Sequence, residues 1–174
     1  MFYLNTLCFK LIGLSVVSNS DPDTSIRHPG QQSTMTSLTK KIRDSFPFLT
    51  IDPIIGEPNY ENIKALHQKL NANAASNHSH LGNGKLGLLY LTDSPEEYNT
   101  LSYVPFEPPT NPGLTPTYPE RATQFLISAA DRKHDTNTKI FQQYDACDRA
   151  LKQLLLGAVQ DMFIKNDQQP AAIG

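Results

Sequence analysis

His78-Ser79-His80, with His67 eleven residues upstream, is the most metal-like group in the sequence. Zinc needs three or four ligands, each held in orientation by a further hydrogen-bonding group. No additional Cys, His or acid stands at ligand spacing, so solvated loop histidines are the expected reading. Gly82-Asn83-Gly84 before Lys85 has the small residues of a phosphate loop but lacks the GxxxxGK[ST] pattern, and reads as a turn. Ser94-Pro95-Glu96-Glu97 brings two carboxylates together in sequence. Adjacent helical residues do not face each other, so a helix cap explains them better than an acid/base pair. Cys147 has His134 thirteen residues before it, on another helical face, and reads as a buried apolar thiol. The sequence therefore offers no catalytic, cofactor or metal residues and no small-molecule substrate site. It reads as a non-enzymatic protein.

These residues must be positioned by a mainly α fold: a small helical domain with a long C-terminal amphipathic helix, a proline-rich connector and one or two short extended segments. Thr36–Ser45 suits a short helix that ends at Phe46-Pro47, because a residue before proline is pushed out of the helical region. Phe48–Ile55 is an apolar extended run interrupted by Pro53, and suits a short strand or an extended arm. Asn59 can cap a helix over Tyr60–Ala75, whose apolar residues fall at Ile63, Leu66 and Leu70. Ser76–Lys85 is a loop, and Leu86–Leu91 is a short buried strand or loop segment. Asp93 or Ser94 caps another short helix, with Pro95 at its first position and acids in its first turn. The stretch from Pro105 to Pro119 holds six prolines, which leaves only an extended connector. After it, Tyr118–Ile164 has no internal proline; its first half, Glu120–Ala130, and its second half, with an apolar stripe from Ile140 to Met162, are both helical in pattern, joined by the polar Asp131–Asn137. One long helix and two kinked ones fit equally well.

Residues 1–35 read as a leader, disordered or a weak signal-like extension, with Met35 as an alternative start. Residues 36–58 are the short helix and arm, 59–165 the helical domain, and 166–174 a fraying tail. A net charge of −2 argues against a dedicated nucleic-acid surface. Two cysteines, Cys8 and Cys147, make no disulfide framework. No apolar run is long enough to span a bilayer, and a cytoplasmic location is expected, with secretion as the alternative.

The stripe Ile140, Phe141, Tyr144, Leu151, Leu154, Leu155, Val159 and Met162 runs in steps of three and four along the last helix. It can serve as core, as contact surface for a second copy, or as both. The chain also resembles Gag-like proteins of copia-type retrotransposons, of a subgroup common in diatoms and other protists. The residues that carry this are Ile55-Gly56-Glu57-Pro58-Asn59-Tyr60-Glu61, then Ile63-Lys64 with Leu66, and Leu70–Ser76. Gly84–Leu88, Ser94-Pro95-Glu96-Glu97-Tyr98, Pro105-Phe106, Pro109–Gly113 and the helix with Phe141, Tyr144, Ala150-Leu151 and Leu154 follow in the family's order. Lys85 stands where that family usually has His, and neither further capsid helices nor a zinc knuckle follows Ile164. The resemblance implies the N-terminal capsid region of a structural protein that self-associates, as a truncated or degenerate copy. Element RNA is a partner by family analogy alone. The alternative is a monomeric adaptor that offers the proline-rich segment 105–119 to an aromatic groove.

Overall fold

The computed structural model describes residues 29–159. The readings made for Cys8, the leader before Pro29, Met162 and the tail lie outside the described residues. Among the described residues four α-helices follow in order: α1 (Pro29–Asp44), α2 (Tyr60–Ser76), α3 (Pro95–Leu101) and α4 (Gln124–Ala158). Among the described residues there is no strand, so the fold is mainly α as expected. α1 and α2 both pack on α4, and short 3-10 turns at Leu81–Asn83 and Leu89–Leu91 lie between α2 and α3.

The core forms where three apolar faces meet. α2 contributes Ile63, Leu66, Leu70 and Ala74, the helical spacing read in the sequence. α4 contributes Cys147, Leu151, Leu154, Leu155 and Ala158. α1 and the arm behind it add Ile42, Phe46 and Ile54, so residues 36–58 share one core with the rest.

α1 begins earlier than the expected Thr36. Pro29 stands at its first position, where the absent N–H costs nothing and the fixed φ favours a helix. The other end agrees with expectation at Pro47.

The arm from Phe46 to Ile54 has no ladder partner and satisfies its backbone otherwise. The Asn73 side chain, fully buried, accepts from Phe48 N–H and donates to Phe48 C=O, both at 2.9 Å. Ile54 N–H donates to Ala158 C=O at 2.8 Å, which satisfies one of the carbonyls orphaned at the end of α4. A single buried amide and one helix end thus replace the sheet that an extended segment would otherwise need.

Leu86–Leu91 is a turn followed by a 3-10 turn and not a strand. Leu88 and Leu91 are nonetheless buried, and Leu88 N–H closes the end of α2 at Ala74 C=O. Ser94 caps α3 in a reciprocal box with Glu97, and Asn59 caps α2 likewise with Asn62. The acids of the Ser94 segment are therefore cap residues.

α3 sets Tyr98 into an aromatic cluster. Tyr90 stacks on Phe106 with ring centroids 4.3 Å apart, Tyr98 meets both edge-on, and Phe106 lies 6.2 Å from Tyr144. Phe106 pins the start of the proline-rich connector to the core.

Candidate self-association surface

α4 is one helix of 35 residues, which settles the choice between one helix and two. It starts at Gln124 instead of Glu120, because Arg121 adopts a left-handed backbone (φ 59°) and Thr123 then caps through its side chain. The polar segment Asp131–Asn137 does not break it, since that segment needs no buried face.

Its two halves have different surroundings. From Tyr144 onward it supplies the core; from Gln124 to Gln143 no residue is buried. This first half, roughly 30 Å long at 1.5 Å per residue, is therefore the sparsely packed, projecting end of the helix. Phe125 (74% exposed) and Leu126 (47%) lie at its tip.

The connector returns along this projecting half. The Tyr118 hydroxyl donates to Asp131 Oδ1 at 2.6 Å, and this bond holds the phenol above its ordinary pKa. Gly113, Leu114 and Pro116 of the connector wall an open groove of about 430 Å³ against α4. Asp131, His134, Asp135 and Thr138 form its helical side. The Thr138 hydroxyl is buried and has no hydrogen-bond partner among the described residues.

The apolar stripe falls mostly in the other half. Tyr144, Leu151, Leu154, Leu155 and Val159 are buried inside this one chain. Ile140 and Phe141 are partly covered, where projection begins. The buried members of the stripe are core, and a partner could reach them only by opening the fold.

The residues weighed for chemistry are dispersed. Cys147 is fully buried, and burial pushes its thiol well above the ordinary range, away from the reactive thiolate. His134 is roughly 20 Å further along the helix axis, in the connector groove. His78 and His80 are exposed and meet edge to face at 5.0 Å, while the His78 carbonyl accepts from the Gln143 amide. Among the described residues no three His, Cys, Asp or Glu side chains converge on an ion position. Gly82-Asn83-Gly84 is a turn in which both glycines adopt left-handed backbone, with Gly82 against the Tyr98 hydroxyl.

His67 is partnered within the fold. Its Nε2 lies 3.4 Å from Asp93 Oδ1 and 3.3 Å from Thr92 C=O, and Asn71 donates to the same carboxylate at 2.6 Å. The bond to Asp93 raises the imidazole pKa against the opposing effect of burial. A raised folded-state value favours the protonated form in the folded protein. The resulting stabilisation is full below the unfolded value near 6.5 and is lost as pH rises through the folded value. The melting temperature of the wild type should therefore fall relative to a His67→Gln variant as pH goes from about 6 to about 8.5. Parallel curves for the two proteins would show that the Asp93 contact contributes nothing.

The chain matches no protein-family model, no curated protein and no solved structure. Among the described residues no helix is long and apolar enough to cross a membrane.

Proposed function

We propose that this chain is a non-catalytic, cytoplasmic self-assembly protein of the kind its resemblance to copia-type Gag implies. The observation that carries this reading is the projecting half of α4. A helix whose first twenty residues include none that is fully buried, with Phe125 and Leu126 exposed at the tip, is a surface suited to association. The contact is accordingly moved from the stripe, which serves the core, to the projecting segment and the connector beside it. RNA as cargo rests on the resemblance alone.

The adaptor reading is weakened by the same geometry. A docking proline segment needs a free face along its length, yet Phe106 is buried and Tyr118 is tied to α4.

Light scattering after size-exclusion chromatography of the full chain should show species that grow with concentration. The double substitution Phe125→Ser, Leu126→Ser should reduce that growth while leaving the melting temperature nearly unchanged, as both side chains are exposed. A monomer at every concentration would overturn the reading.

A further inference from the structure

The projecting half of α4 carries its charges on two different sides. Asp131, His134, Asp135 and Thr138 repeat in steps of three and four, so they share the side that faces the connector groove. Lys133 falls on roughly the opposite side, with Arg132 at its flank, and both are exposed. Among the described residues neither of these cations forms an ion pair, and neither does Asp135.

The groove has the makings of a guanidinium site. Asp131 and Asp135 stand one helical turn apart, roughly 6 Å between Cβ atoms. A planar group with five N–H donors can bridge such a gap. Leu114 and Pro116 offer an apolar wall for the aliphatic stem that carries the charge.

We infer that the connector groove of one copy receives the Arg132–Lys133 corner of a second copy. This rests on the self-assembly reading and specifies its contact. The occupant is a second copy because the complementary charge is exposed on the far side of the same helix. A two-fold pairing of the basic sides would instead set like charges against each other. Donor and acceptor lie on opposite sides of one helix, so a two-fold axis cannot bring both pairs into one interface, and the contact is head-to-tail. Each added copy brings an unfilled groove, and growth does not close at a dimer.

The test uses three full-length proteins in light scattering and sedimentation velocity: wild type, Asp135→Lys, and the double variant Arg132→Glu, Lys133→Glu. The wild type should grow with concentration and weaken as salt is added. Each variant alone should associate at least about tenfold more weakly. An equimolar mixture of the two should recover association and stop at a heterodimer. In it the intact groove of the doubly substituted chain takes the intact corner of the Asp135→Lys chain. The milder Asp135→Asn and Lys133→Gln should weaken association in the same direction, and unchanged circular dichroism shows that the altered surfaces are still folded. If the wild type associates and the variants match it, this contact is wrong while the assembly reading stands. A mixture that stays monomeric also overturns it. A wild type that is monomeric throughout overturns both.

Discussion

Leu151→Asp should leave the protein unfolded at room temperature. Leu151 is 0% exposed and lies in the α4 segment on which α1 and α2 pack. The substitution removes about 2 kcal/mol of side-chain burial and places a carboxylate where water cannot reach it. Desolvating that charge costs several kcal/mol more, or forces the group to protonate. Together these approach the whole stability of a small domain, roughly 5–15 kcal/mol. Leu151→Ala, which only opens a cavity, should cost about 2–5 kcal/mol and leave a weakened but cooperative fold. Urea titrations followed by circular dichroism separate the two. A helical, cooperatively unfolding Leu151→Asp protein would mean that the second half of α4 is not the centre of the core. Any loss of assembly in this variant would follow from unfolding, so it says nothing about where copies meet.

The second large effect is expected at Gly87, a position with no chemistry of its own. Gly87 has φ +54°, and a Cβ there would come under 3.0 Å from the carbonyl oxygens of Ala75 and Asn77. Those are backbone atoms at the end of α2 and cannot swing aside. Gly87→Val should cost about 3 kcal/mol or more, combining left-handed strain with displacement of the loop from the helix end. Gly56 separates the two causes: its φ is +78° but nothing lies within 4 Å. Gly56→Ala should therefore cost only the backbone strain, about 1–2 kcal/mol. Chemical denaturation of both variants reads the difference. Equal losses at the two sites would remove close approach as the reason for the glycine at 87.

What the sequence made legible was whatever depends on neighbours along the chain. Asn59 was readable as a cap, and the other cap was narrowed to Asp93 or Ser94, of which Ser94 serves, because a capping side chain bonds to backbone only three residues away. The spacing of Ile63, Leu66 and Leu70 named a buried helical face for the same local reason. Cys147 fell within the core stripe and is buried. What stayed hidden depends on distant pairs. Nothing around Asn73 signals that its amide will bond Phe48, twenty-five residues earlier. Nor does the pattern show that Tyr90, Tyr98, Phe106 and Tyr144 will gather, since they come from four separate segments. The stripe on α4 carried a deeper ambiguity. An apolar face reads the same whether its partner is the same chain or another copy, and only the packing of α1 and α2 assigned it to the core. The projecting half escaped notice because Asp131–Asn137 is polar on all sides, which a kink and an unburied helix produce equally.

The length of that sparsely covered half also has a geometric consequence. If copies meet along it, their folded bodies are held apart by a rigid rod of about 30 Å instead of touching. Such a layer would be a mesh: its strength would lie in thin struts, its mass in the nodes, and its openings would be comparable in width to a small folded protein. Shortening the rod by two turns, with a matching cut in the connector, would then tune the porosity of the mesh without altering a single residue of the core.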